Sequence, residues 1–129
     1  SGAVSITGST VSGCSAGWGG VVSAYYSGAV SIIDSAASGC SAKYYGGVVR
    51  AKFSGAVSIT RSAVSGCSAG HGGATHTWKT DLNVTDSTIS GCNAKFGGAV
   101  YVHSGSASLA RSTISNCIAT ESGGGLYSA

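Results

Sequence analysis

The stretch SGAVSITRSAVSGCSAGHGG, residues 54–73, decides the fold, because the chain states it five times with small changes. Close copies begin at residues 1 and 27, and two more divergent copies follow toward residue 129. Each copy carries one cysteine, and successive cysteines are 26, 27, 25 and 25 residues apart. Self-similarity at a fixed period of about 20–50 residues is typical of solenoids and other repeat arrays. The aligned cysteines are Cys14, Cys40, Cys67, Cys92 and Cys117.

Within each repeat the apolar residues recur at every second position, as in Val4-x-Ile6 and Val22-x-Ala24. A period of two indicates strands rather than helices. Small residues and a glycine pair separate the segments, as turn residues do. Three short strands in each repeat, without hairpin signals, predict one rung of a parallel β-helix, with equivalent strands stacked about 4.8 Å apart. The chain contains no proline, which would remove a donor from such ladders.

We therefore predict an all-β, right-handed parallel β-helix, a β-solenoid of five rungs with three short strands each. It forms a single domain over residues 1–129, with rungs at roughly 1–26, 27–53, 54–78, 79–103 and 104–129. A second copy placed after Ala129 would continue the pattern, because Cys117 and the next Cys14 would again lie 26 residues apart. No segment resembles a cap, so we expect uncapped ends that continue into further rungs or stack on copies of the chain. A capped monomer is the alternative.

Two phrases carry a resemblance to a known family: STISGCNAKFGGAVYV at residues 87–102 and STISNCIATESGGGLYS at residues 112–128. They resemble right-handed parallel β-helices of the pectin-lyase-like kind. More narrowly, they are similar to the passenger repeats of polymorphic outer-membrane proteins and related surface adhesins. The resemblance covers the whole chain and implies an extracellular or cell-surface location. It departs at one column, where cysteine stands in place of the family's asparagine, so the asparagine ladder is not carried over.

The composition argues against several classes of function. The net charge of +3 includes no run of Lys and Arg, which argues against nucleic-acid binding. No apolar run approaches the roughly 20 residues of a membrane span. The acids Asp34, Asp81, Asp86 and Glu121 suggest neither a catalytic pair of carboxylates nor a calcium cage. We therefore expect no enzyme activity, no catalytic residue, no cofactor and no metal site.

Three columns are predicted to be structural ladders. The cysteines form one straight column, which suits small buried side chains better than a zinc site or disulfides. The second column holds inward serines, whose buried hydroxyls need partners along the axis. The third alternates in charge from rung to rung, so each member would meet opposite charges above and below and fix the register. The serines are Ser9, Ser35, Ser62, Ser87 and Ser112, and the charged residues are Asp34, Arg61, Asp86 and Arg111.

Two outward columns are candidates for surface binding. Stacked aromatic rings with interleaved cations can bind sugars, a partner protein or a neighbouring fibre. The alternative is that the rings stack on one another and shield the edges of the rungs. The first column contains Trp18, Tyr45, His71 and Phe96. The second is a band on the third strand, in which Ser23, Arg50, His76, Tyr101 and Tyr127 lie beside Tyr25, Lys52, Trp78 and His103.

The remaining outward positions suggest two further features. Asn83-Val84-Thr85 is an N-glycosylation sequon in an outward column, so glycans are candidate partners. The second strand of every rung presents small residues, and such regular faces resemble ice-binding surfaces. Our first hypothesis is a non-enzymatic extracellular structural or adhesive module, and the alternative is an ice-binding protein. The predicted ice face contains Thr10, Ser12, Ser38, Ser65, Thr88, Ser90, Thr113 and Ser115.

Overall fold

The computed structural model of the chain describes residues 3–26 and 28–128, and within those ranges all regular structure is β-strand. Every ladder is parallel and joins equivalent positions of successive rungs, as in Val30 with Val57 and Ser38 with Ser65. The predicted parallel β-solenoid of about five rungs is therefore confirmed. The described residues include no helix of the length and apolar character that a membrane crossing requires.

Three five-stranded sheets run along the solenoid, and each takes one strand from every rung. The first sheet contains β1, β5, β9, β12 and β16, the second β2, β6, β10, β13 and β17, and the third β4, β8, β11, β15 and β19. In chain order the strands are β1 Val4–Thr7, β2 Thr10–Ser12, β3 Ser15–Trp18, β4 Val22–Tyr25, β5 Val30–Ile33, β6 Ala36–Ser38, β7 Ser41–Tyr45, β8 Val49–Lys52, β9 Val57–Thr60, β10 Ala63–Ser65, β11 Thr75–Trp78, β12 Leu82–Thr85, β13 Thr88–Ser90, β14 Asn93–Phe96, β15 Val100–His103, β16 Ala107–Ala110, β17 Thr113–Ser115, β18 Ile118–Ser122 and β19 Leu126–Ser128.

A fourth, interrupted ladder follows the second sheet in each rung, in addition to the three strands predicted. Strand β3 pairs with β7 and β14 with β18, whereas the middle rung contributes only isolated bridges at Ser68 and His71. Both strand pairs contain a register shift. The shift has a cause in the sequence, because Gly46 follows Cys40 by six positions while Gly19 follows Cys14 by five. The extra residue must be absorbed in this ladder.

The corner between the first and second sheets turns at a single residue with positive φ in every rung. This position is occupied by Gly8, Asp34, Arg61, Asp86 and Arg111, with φ between 46° and 57°. The left-handed conformation is unfavourable for residues other than glycine. The predicted charge column is therefore a column of bends, and its side chains project from the corner into solvent.

The glycine pair of each rung allows the rungs to approach one another closely. Gly72 has a φ of +65°, in the left-handed region that glycine tolerates. A Cβ on Gly73 would meet the carbonyl oxygen of Gly98 in the next rung and lie 2.7 Å from the carbonyl oxygen of Asn93. Only glycine fits this contact.

The core is a column of inward side chains from the three sheets. In the middle rung Val57, Ile59, Val64 and Cys67 are all buried and pack in one apolar cluster. The alternation of buried and less buried residues along the strands agrees with the predicted period of two. Outward residues therefore lie on regular faces, and these faces contain the candidate sites.

Candidate functional site

The cysteine column lies in the core, and all five cysteines lie in the described ranges and are free thiols. The three central ones are buried, and each thiol donates to the carbonyl two residues earlier, as Cys67 does to Ser65 at 3.3 Å. Burial raises the pKa of Cys40. The neighbouring Cys67 thiol raises the pKa of Cys92, and burial raises it further. Raised pKa values keep these two thiols protonated and unreactive.

The serine column forms a ladder that bonds to the backbone rather than from hydroxyl to hydroxyl. The Ser62 hydroxyl accepts from the backbone N–H of Ser35 at 3.1 Å and donates to the carbonyl of Thr60 at 2.8 Å. The same pattern recurs in the next rung, where the Ser87 hydroxyl accepts from the N–H of Ser62. Each hydroxyl therefore accepts a hydrogen bond that a backbone carbonyl would accept within a strand. This bond joins successive rungs at the bend.

A second hydroxyl bond between rungs was not predicted. The Thr80 hydroxyl accepts from the N–H of Ser54 at 3.1 Å and donates to the carbonyl of Trp78 at 3.1 Å. It lies where the chain passes from the third sheet of one rung to the first sheet of the next. The signal in the sequence was a Ser or Thr two or three residues before the first strand of a rung.

The charge column consists of two separate ion pairs, which corrects the predicted continuous alternation. The Arg61 guanidinium donates two hydrogen bonds to the Asp34 carboxylate, of 2.7 Å and 3.2 Å. Arg111 donates two to Asp86 in the same way, of 2.6 Å and 3.2 Å. In the described part of the chain Arg61 and Asp86 form no ion pair. Hydrogen bonds from the guanidinium groups lower the pKa values of Asp34 and Asp86. Both pairs are exposed, so they fix register rather than add much stability.

The other two acids also have partners in the structure. Asp81 accepts from the N–H and the hydroxyl of Ser106, and Glu121 lies 3.0 Å from the Nζ of Lys95. Within residues 3–26 and 28–128 no three His, Cys, Asp or Glu side chains converge on a metal-binding geometry.

The rings of rungs two to five form an aromatic stack, as the shielding alternative proposed. His76 and Tyr101 are stacked at 5.0 Å between ring centroids, and Tyr101 and Tyr127 at 4.9 Å. Tyr45 packs on His76 at 4.5 Å, so the two outward columns meet over the corner. His76 is only 2% exposed, and burial lowers its pKa to about 3, so its imidazole is neutral. The stack consists of Tyr45, His71, His76, Phe96, Tyr101 and Tyr127.

The rings of rungs one to four form a different cluster, in which cations lie against the ring faces. The Lys52 Nζ lies 4.3 Å from the Trp78 ring centroid and 5.3 Å from that of Phe53. Tyr26 stacks on Phe53 at 5.0 Å, and His103 contacts Trp78 at 4.7 Å. We call this cluster the aromatic–cation surface, and its central residues are Tyr25, Tyr26, Lys52, Phe53, Trp78 and Lys79.

The aromatic–cation surface continues across the corner to the fourth ladder. Arg50 lies 5.6 Å from the Trp18 ring, and Trp18 contacts Tyr44 at 6.1 Å. The prediction placed Trp18 over Tyr45, whose Cα is its register partner, but the nearer ring is that of Tyr44. Tyr44 belongs to the longer second rung, and this insertion was the signal that could have found it.

The predicted ice face is in register but not uniformly flat. The Ser12 and Ser38 positions pair, and so do those of Ser65 and Ser90, at the outward positions of the second sheet. The neighbouring column of that face, which includes Thr10, lines a shallow open groove of about 550 Å³. Both members of the Asp34–Arg61 pair line the same groove. Asn83, the sequon residue, is exposed on β12 of the first sheet.

The end rungs expose positions that the middle rungs bury. Ile32, Ile59 and Val84 are 3%, 0% and 1% exposed, whereas Leu109 at the same position of the last rung is 43% exposed. At the first position of the third sheet, Val100 is 0% exposed and Leu126 is 40% exposed. In the first rung Val4, Ile6, Val11 and Cys14 are only partly buried. Both ends therefore present partly uncovered core.

Comparison with known proteins does not assign the chain to a family. The predicted kinship with pectin-lyase-like and adhesin repeats remains a prediction, while the solenoid fold follows from the strand register. No protein-family model, no curated protein and no solved structure matches the chain.

Proposed function

We propose that the chain is a non-enzymatic structural or adhesive β-solenoid that continues, rung on rung, into a longer column. The neighbour is either further chain or a second copy stacked head to tail. The observation that supports this proposal is that Leu109 and Leu126 are exposed at one end and that Ile6 and Val11 are only partly buried at the other. These residues occupy the positions that the middle rungs use for the core.

The two end faces complement each other because each resembles the interior face that an adjacent rung would present. Leu109 in the last rung and Ile6 in the first rung occupy the same column. Stacking one end on the other would therefore reproduce the pairing of Ile32 with Ile59. It would also pair the free backbone N–H and C=O groups of two strand edges. Such a head-to-tail contact does not close on itself, so it leads to filaments. The predicted seam between Ala129 and Ser1 lies outside the described residues.

The test compares two aspartate substitutions in one strand of the isolated chain. Leu109→Asp places a charge in the proposed end contact, whereas Ser108→Asp places the same charge on the outward face next to it. We expect concentration-dependent assembly in the wild type and in Ser108→Asp, and a monomer in Leu109→Asp. Light scattering after size exclusion and negative-stain images report the result. A wild-type chain that stays monomeric at all concentrations contradicts head-to-tail stacking and leaves further chain as the neighbour. Equal assembly of both variants contradicts the proposed end contact.

The extracellular or cell-surface location, and the kinship with adhesin repeats, belong to the same proposal. The exposed sequon at Asn83 supports a location in which glycans are added. Expression through a eukaryotic secretory pathway should give a product whose mass falls on glycosidase treatment, and Asn83→Gln should remove that change. A secreted product of unmodified mass contradicts this part of the proposal.

Ice binding is the second candidate, because Ser12, Ser38, Ser65 and Ser90 stand in register along the second sheet. The groove beside Asp34 counts against it, since a flat face suits a crystal plane better than a concave one. Thermal hysteresis that Ser65→Tyr abolishes and Ser58→Tyr leaves intact would favour this candidate. Ser58 is the matched control because it faces outward on the first sheet.

A further inference from the structure

The cations that form no ion pair in the described part of the chain are concentrated on one flank. Of the seven Lys and Arg residues, Arg61, Arg111 and Lys95 are each paired with an acid. The other four make no ion pair within residues 3–26 and 28–128, where all four acids lie. All four belong to the aromatic–cation surface or border it, and they are Lys43, Arg50, Lys52 and Lys79.

One column of this surface places a cation between two rings along the axis. Lys52 lies between Tyr25 of the rung before and Trp78 of the rung after, with its Nζ 5.8 Å and 4.3 Å from the two rings. Lys79 lies 5.2 Å from Phe53. The ammonium groups are therefore held in place by ring faces, and no carboxylate of the described chain neutralises them.

Donor capacity and apolar area are both left unused here. The ammonium groups of Lys52 and Lys79 have no acidic partner among the described residues, so they can bind anions from solution. Trp18, Tyr26 and Tyr44 are exposed although each contacts another ring. Exposed aromatic patches bordered by charge mark interaction sites on soluble proteins. The partner must bring both anionic groups and flat apolar faces.

We propose that the aromatic–cation surface binds an acidic glycan, a sugar chain that carries sulfate or carboxylate groups. The C–H faces of the sugar rings pack on Trp18, Trp78 and the exposed tyrosines, and tyrosine hydroxyls bond to sugar hydroxyls. Lys52, Lys79 and Arg50 bind the anionic groups through charge-assisted hydrogen bonds. The surface lies on the flank of the solenoid, so this binding does not depend on the end-to-end stacking proposed above.

A single-stranded nucleic acid is the other polymer with anions and flat faces, and the geometry favours it less. Rungs repeat every ~4.8 Å. Stacked nucleotides rise by only ~3.4 Å. A stacked strand would therefore lose register with Tyr25, Phe53 and Trp78 within a few nucleotides. The spacing of a glycan's rings is not fixed at this value, because sugar rings do not stack on one another.

The experiment measures binding by calorimetry with four probes of similar length. The probes are a heparin-derived oligosaccharide, a hyaluronan oligosaccharide, an uncharged dextran oligosaccharide and oligo-dT. We expect Lys52→Gln and Lys79→Gln each to weaken binding of the charged glycan about tenfold, the size of one charge-assisted hydrogen bond. Lys95→Gln is the matched control, because it removes the same charge from a paired site. Binding should weaken as salt rises.

Each outcome decides the proposal. Heparin binding alone indicates sulfate recognition, and hyaluronan binding as well indicates carboxylate recognition; both support it. Equal binding of dextran, tighter binding of oligo-dT, equal weakening by Lys95→Gln, or no binding of either acidic glycan overturns it. Circular dichroism melts check that the variants remain folded, and Trp78→Leu, expected to weaken binding roughly fivefold through lost ring contact, gives a second reading without a charge change.

Discussion

Replacing Thr75 with valine should stabilise the solenoid. Thr75 points into the core, is fully buried, and has no hydrogen-bond partner for its hydroxyl among the described residues. Its register partners in the adjacent rungs are Val49 and Val100, so valine already occupies this position on both sides. Threonine and valine share the same branched shape, so the substitution exchanges one hydroxyl for one methyl group.

The magnitude follows from the two changes. An unsatisfied buried hydroxyl costs about 1–3 kcal/mol, and burial of the added methyl contributes about 0.8 kcal/mol. We expect Thr75→Val to raise the free energy of unfolding by the sum of the two, about 2–4 kcal/mol, and the Tm by several degrees or more. Thr77→Val should act in the same direction, because Thr77 is also buried and unpartnered between Ala51 and Val102 in that part of the chain.

Urea unfolding followed by far-ultraviolet circular dichroism measures the effect. Thr88→Val is the matched control: Thr88 is exposed on the second sheet, so its hydroxyl reaches water and the change should stay within about 0.5 kcal/mol. A midpoint that falls in Thr75→Val, or rises equally in Thr88→Val, refutes the reasoning. The first result would mean that the Thr75 hydroxyl is satisfied in solution.

Three further perturbations test other columns. Gly73→Ala should destabilise the chain by about 3 kcal/mol or more in urea melts, because its Cβ would meet the backbone of the next rung, whereas Gly17→Ala, with open space around its Cβ, should be neutral or slightly stabilising. Ser62→Ala should cost about 1–3 kcal/mol by the same assay, since two backbone groups lose their partner. The lowered pKa of Asp34 means that its contribution is present above the ordinary pKa of 3.8 and is lost as pH falls through the folded value. The Tm of the wild type should therefore fall more steeply below about pH 4 than that of Asp34→Asn; parallel curves would contradict this.

The register of the solenoid could be predicted from the sequence because each column repeats its chemistry. Val57-Ser58-Ile59 sits on Val30-Ser31-Ile32 in the alignment and in the structure. The physical reason is that a shift by one residue would turn every inward apolar side chain outward. Five repetitions of the same pattern leave one register that buries them all.

The features that the sequence analysis missed depend on side-chain size and on insertions. Neither effect can be seen by comparing the residues of one aligned column. The fourth ladder absorbs an extra residue beside Tyr44, and that moves the Trp18 contact away from Tyr45. His76 lies in an outward column yet is buried, because Tyr45 and Tyr101 are large enough to cover it. A side chain that points outward from the sheet is therefore not always exposed to water, because large neighbouring rings can cover it.

The ion-pair partners in the charge column also could not be predicted from the sequence, because they depend on side-chain geometry. Alternating signs suggested that every charge would meet opposite charges above and below. A guanidinium that makes two hydrogen bonds to one carboxylate is oriented toward that carboxylate alone, so Arg61 is committed to Asp34. The sequence gives the spacing of charges along the axis, but the rotamer at each bend decides which neighbour is bound.

The burial profile along the axis links stability to assembly. In the column of Ile32, Ile59, Val84 and Leu109, the exposed fraction rises from 3% or less to 43% at the last rung. In a stack of repeats, stability is a sum of rung terms and of contacts between neighbours, so an end rung lacks one of its two contacts. Any neighbour that covers Leu109 therefore supplies the same kind of contact that holds the middle rungs together. Assembly and resistance to fraying at the ends are thus two measurements of one interaction, and a substitution that abolishes the first should leave the melting of the middle rungs unchanged.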